Sequence, residues 1–141
     1  MKKAAHRLAL VAAPSALSLQ VLSVLSKRYS VSPWSSSERV VSRFREERPA
    51  LVVVMATRRN QSAMRRLVRS LKTEQRPPTA GLIFEKGLPE DAQTFLRESQ
   101  CDGILGFPAT DDELFSWMDE VLMGKSPVLG RSERPGKIRK V

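Results

Sequence analysis

PALVVVMATRRN, Pro49 to Asn60, is the stretch on which the reading of the chain turns. Leu51, Val52, Val53 and Val54 make a continuous apolar run that reaches a polar turn just after Met55. A strand with one wet face would alternate apolar and polar residues. An unbroken run rich in β-branched residues instead fits a central strand of a parallel sheet covered by helices on both faces. The turn leads into QSAMRRLVRSLKTEQR, where Met64, Leu67, Val68 and Leu71 recur at helical spacing until Pro77-Pro78 stops the pattern.

The same alternation extends outward in both directions. Upstream, RLALVAAP reads as a first strand and SALSLQVLSVLSKR as a helix, with Leu17, Val21, Val24 and Leu25 near helical spacing. YSVSPW reads as a second strand that Pro33 places at a sheet edge. SSSERVVSRFREER follows as a helix, with Ser35 and Glu38 spaced as a capping box and Val40, Val41 and Phe44 on one side. Downstream, TAGLIFEKG is a fourth strand and PEDAQTFLRESQ a fourth helix, with Pro89 at its first position. CDGILGFP is a fifth strand, and TDDELFSWMDEVLMG a fifth helix capped by Thr110 with Glu113 and ended by Gly124. Five strands alternating with five helices predict an α/β fold, a doubly wound parallel sheet with helices on both faces. Residues 1–124 make that domain. Residues 125–141, KSPVLGRSERPGKIRKV, lack an apolar period and are expected to be a basic, disordered tail.

Composition narrows the function classes. With 41% hydrophobic and 28% charged residues in 141, one modest core is expected. No apolar run approaches the roughly 18 to 20 residues of a membrane helix. Lys2, Lys3 and Arg7 ahead of Leu8–Ala13 imitate the start of a signal peptide, but the Pro14-Ser15 break and the amphipathic segment beyond it read as strand, turn and helix. A single cysteine, Cys101, allows neither an intrachain disulfide nor a thiolate metal site, and a reducing cytoplasm is the default compartment. His6 has no second histidine to form a ligand set. Gly81, Gly87, Gly103 and Gly106 form no phosphate loop, and no G-x-S-x-G elbow occurs. No enzyme, metal or cofactor is expected.

The motifs RPALVVVM and CDGILGFPATDDEL, within this order of elements, resemble the receiver domain of bacterial two-component response regulators, the CheY-like family. The resemblance covers about residues 6 to 124 and implies a flavodoxin-like sheet of strand order 2-1-3-4-5. It also implies a phosphorylation site: an acidic pair after the first strand, an aspartate ending the third, a hydroxyl after the fourth, and a lysine before a proline after the fifth. Those positions fall on Ala12 and Ala13, on Met55, on Phe84 give or take one residue, and on Phe107 before Pro108. None of these side chains can ligate Mg²⁺, accept a phosphoryl group or bind its oxygens. They are expected to meet where the strands end and to fill the cleft with apolar side chains. The chain then reads as a pseudo-receiver, and the sequence leaves the isomer of the Phe107-Pro108 bond open.

The exterior is left to carry function. The net charge of +9 is split into blocks: residues 1 to 76 hold 16 basic and 4 acidic side chains, residues 77 to 124 hold 2 and 10, and residues 125 to 141 hold 6 and 1. Asp111, Asp112, Glu113, Asp119 and Glu120 predict an acidic face on the last helix. Arg58, Arg59, Arg65, Arg69, Lys72 and Arg76 predict a basic one on and around the third. The expected role is a protein-interaction module in bacterial signalling or localisation, using either a basic partner on the acidic face or head-to-tail self-association. The alternative is a nucleic-acid-associated regulator using the basic stripe and the tail cations Arg131, Arg134, Lys137, Arg139 and Lys140. Trp34 is placed near a surface and Trp117 on the last helix, and for both core or groove packing is expected ahead of a ligand platform.

Overall fold

The computed structural model describes residues 7–35 and 39–131. The chain runs β1 (Arg7–Val11), α1 (Ala16–Leu25), β2 (Ser30–Trp34), α2 (Val40–Glu47), β3 (Leu51–Ala56), α3 (Gln61–Lys72), β4 (Thr79–Phe84), α4 (Ala92–Ser99), β5 (Gly103–Gly106), α5 (Asp111–Leu122) and β6 (Val128–Gly130). All pairings are parallel, and the sheet order is β2-β1-β3-β4-β5-β6. The expected order 2-1-3-4-5 is therefore present, with a sixth strand added at the β5 edge. His6, Glu38 and the tail cations from Arg134 onward lie outside the described residues.

The two-residue period of β3 divides its side chains between two cores. Val52, Val54 and Ala56 pack with Val40 and Phe44 of α2, Met64, Val68 and Leu71 of α3, and Phe95 of α4. Leu51, Val53 and Met55 pack with Val21, Val24 and Leu25 of α1 and with Leu114, Trp117, Met118 and Val121 of α5. Every residue of β3 is buried, as the unbroken apolar run required. Trp34 packs into the core as expected of it, but not near a surface: it is only 2% exposed and belongs to the α2–α4 core. The register Val11↔Trp34 puts the indole where α2 covers the sheet, so this edge-strand side chain still finds a core to enter.

The helix termini follow local chemistry. Thr110 caps α5 as expected: its hydroxyl accepts from Glu113 N at 3.1 Å, and the Glu113 carboxylate accepts from Thr110 N at 2.8 Å. Ser15 and Ser18 make the same reciprocal arrangement on α1, a box the sequence reading missed because its third position is serine rather than Glu or Gln. Pro89 does not open α4. It sits in a preceding turn, with Ala92 N donating to its carbonyl at 3.2 Å.

The expected disordered tail needs the larger correction. Val128, Leu129 and Gly130 pair with Ile104, Leu105 and Gly106 of β5, and the backbone N–H groups of Ile104 and Leu88 donate to the carbonyls of Pro127 and Arg131 at 2.8 Å each. Three residues are too short for a detectable period. What recruits them is the open edge of β5, whose donors and acceptors want partners. Among the described residues, no helix is long and apolar enough to cross a membrane.

Candidate functional site

Met55, the penultimate residue of β3, lies on the α1–α5 side of the sheet. Its side chain is fully buried, beside Ile83 in the ladder and within the same core as Phe107, with Ala12 packed against that core. Phe84 does not join them. Paired with Ala56, it points into the opposite core, towards α3 and α4, and Ile83 is the β4 residue that accompanies Met55. The tolerance of one residue in the sequence reading is resolved by parity, because neighbouring strand residues face opposite ways. Ala13 is half-buried and belongs to neither core. Ala12, Met55 and Phe107 thus belong to one core, while Phe84 and Ala13 do not. Phe107-Pro108 is a cis bond.

The Mg²⁺ that the resemblance implies does not fit these residues. Methyl groups and a thioether offer no hard oxygen ligands, and Mg²⁺ requires a near-octahedral oxygen shell. Glu85 leaves β4 at this end of the sheet, half-buried, and burial pushes its carboxyl above the ordinary range while Lys86 opposes the shift. Among the described residues, no three His, Cys, Asp or Glu side chains are grouped to hold a metal ion.

The basic stripe of α3 is largely a seam within the molecule. Arg65 makes a two-pronged pair with Asp91, both contacts 2.8 Å, and lies over the Phe95 and Phe84 rings at 4.9 and 5.7 Å. Arg69 lies over Phe95 at 5.3 Å. Lys72 donates to Asp102 at 2.6 Å and to the Pro78 carbonyl at 2.9 Å, and the same carboxylate oxygen accepts from Ala80 N at 2.8 Å. Their spacing of i, i+4 and i+7 points all three towards α4 and the β4–β5 connection. The Arg65 guanidinium holds the Asp91 carboxyl below its ordinary range. Arg58, Arg59 and Arg76 are exposed, and Arg76 lends its carbonyl to Arg48. Of the six basic residues expected on this face, Arg58, Arg59, Arg69 and Arg76 are exposed, while Arg65 and Lys72 are paired with Asp91 and Asp102.

The acids of α5 are more accessible. Asp111, Asp112 and Asp119 are exposed, Glu113 is exposed but engaged in the cap, and Glu120 is half-buried. Asp119 lies 3.9 Å from Arg28 of the α1 end, an exposed and weak pair. β6 changes the face to which they belong, since the outer edge of β5 between α4 and α5 is covered by the chain's own strand.

Cys101 is 3% exposed and donates weakly to the carbonyls of Ala80 and Gly103. Burial is the main cause that pushes its thiol up to about 11. Alkylation of the native chain at pH 8 is therefore expected to be roughly two orders of magnitude slower than that of the denatured chain. Comparable rates in timed iodoacetamide quenches would contradict that burial.

No family model matches the sequence, and no curated protein does. Among solved structures, a response regulator signal receiver domain from Bermanella marisrubri is similar, with a TM-score of 0.65 at 16% identity over 82% of this chain and 97% of that one. The chain therefore has the flavodoxin-like fold of a receiver domain, carried one strand further by β6.

Proposed function

We propose that the chain is a non-enzymatic, phosphorylation-independent receiver-like module that acts by binding a protein partner. The observation that carries this reading is Met55, fully buried among apolar side chains at the point where the family resemblance calls for a phosphoacceptor. Sulfur cannot form an acyl phosphate, and Ala12 and Phe107 of the same core supply neither a metal ligand nor a phosphate-binding ammonium. The surface that remains for recognition is the acidic α5, with Asp111, Asp112 and Asp119 open to solvent. A partner with a basic segment matches it, and the contact should weaken as salt rises. Head-to-tail self-association through the basic stripe loses support, because Arg65 and Lys72 are spent on Asp91 and Asp102.

Intact mass after incubation with Mg²⁺ and acetyl phosphate tests the first half: an unchanged mass is expected, and an acid-labile phosphoryl adduct overturns the reading. Affinity capture with the chain and with an Asp111→Asn, Asp112→Asn, Asp119→Asn variant tests the second. The same partners captured equally by both would remove α5 from the proposal.

A further inference from the structure

The segment that forms β6 fits its site by a specific pattern rather than by general stickiness. Val128 packs against the α2–α4 core and Leu129 against the α1–α5 core, so the two side chains enter opposite faces of the sheet. At the third position only glycine fits. A Cβ on Gly130 would come within 2.4 Å of the Gly106 carbonyl oxygen and 2.7 Å of its nitrogen, and the φ of +127° is itself foreign to L side chains. Gly106 is equally constrained, since a Cβ there would meet Leu88 N at 2.7 Å. The carbonyls on either side of the strand, Pro127 and Arg131, are held by Ile104 and Leu88. The β5 edge is thus a receptor for apolar, apolar, glycine in parallel register, and each copy of this chain carries one such segment at residues 128–130.

What returns that segment to its own edge is a short hinge, residues 123–127 between α5 and β6, and the hinge is strained. Gly124 takes φ +77° without cost, but Ser126 is held at +53°, where a non-glycine residue is disfavoured. Short hinges under strain are those that relax by exchanging the element they carry. We propose that β6 is exchangeable, and that the β5 edge of one copy accepts residues 128–130 of a second copy to give a two-fold, strand-swapped dimer. Because each copy carries a charge of +9 and the docked segment is apolar, added salt strengthens this association. The partner-binding reading above predicts the opposite salt dependence for its contact, so the two stand or fall separately.

The test is light scattering with size-exclusion chromatography on the full chain over a range of protein and salt concentrations, with two hinge variants. Ser126→Pro forbids the positive φ and is expected to raise the dimer association constant by about tenfold or more. Ser126→Gly removes the strain and is expected to lower it. Deletion of Lys125 and Ser126 leaves too little chain to close, and the same dimer should form. Adding Gly130→Val to Ser126→Pro should return the monomer, and copies mixed in light and heavy isotopes should give mixed dimers by native mass spectrometry. The proposal fails if Ser126→Pro and the deletion variant are both monomeric, or if the dimer survives Gly130→Val.

Discussion

Met55→Asp is expected to destabilise the chain by about 3 to 5 kcal/mol at neutral pH, enough to leave a protein of ordinary stability close to unfolding. The site offers no compensation. Met55 is fully buried, its ladder neighbour is Ile83, and Ala12 and Phe107 are apolar. A carboxylate there would lose its water without gaining a donor or a cation. Its pKa would rise above that of the unfolded chain, so the folded state would bind the extra proton. The penalty is therefore smallest below the unfolded carboxyl's range and grows as the pH rises through it. Denaturant midpoints at pH 4 and pH 7 read this directly, with Met55→Leu as a volume-conserving control expected to cost less than about 1.5 kcal/mol. Mg²⁺ should not rescue the aspartate, because one carboxylate in an apolar core is not a coordination shell. A Met55→Asp variant as stable as the parent, and stabilised by Mg²⁺, would mean that this strand end is open and polar, and the proposed function would go with it.

The second large effect concerns Trp117, which is 1% exposed and lies across two strands that both present glycine to it. Gly81 and Gly103 are partners in the β4–β5 ladder. A Cβ at Gly81 would fall 2.7 Å from the outer indole ring, and one at Gly103 would fall 2.5 Å from Val121 and 3.2 Å from the indole nitrogen. Sheet and indole are shaped to each other, with the ring filling space that side chains elsewhere occupy. Trp117→Ala is expected to cost about 3 to 5 kcal/mol, and Gly81→Ala about 1 to 3 kcal/mol by overpacking. The two changes share one volume and cannot add. Gly81→Ala in a Trp117→Phe background should cost less than in the parent, with a coupling of roughly 0.5 to 3 kcal/mol in a denaturant-based double-mutant cycle. Strict additivity would show that the glycines serve something other than the indole.

The stretch from Pro49 to Asn60 already carried the decisive information about the fold. A buried, non-alternating strand implies cover on both faces, and the apolar spacing before and after it supplied the helices. Of the five residues at the positions the resemblance assigns to a phosphorylation site, Ala12, Met55 and Phe107 belong to one core, Ala13 to neither and Phe84 to the opposite one. Parity across a ladder depends on register with another strand, and no pattern within β4 alone contains it.

The charge pattern was legible and its use was not. Counting predicted that Arg65, Arg69 and Lys72 share a helix side, and they do. Whether that side meets water or Asp91, Phe95 and Asp102 depends on where α4 lies, and those acids and rings sit 26 to 30 residues further along the chain. The tail shows the same division. Val128, Leu129 and Gly130 have no strand signal of their own, and only the unfilled edge of β5 makes a strand of them. The type of the first ten elements, the core period of the helices and the α5 cap came from the sequence by itself, because each rests on residues a few positions apart. The face each charge occupies, the slot beneath Trp117 and the sixth strand were decided by the tertiary structure, because their energies arise between surfaces that meet only when the sheet has assembled.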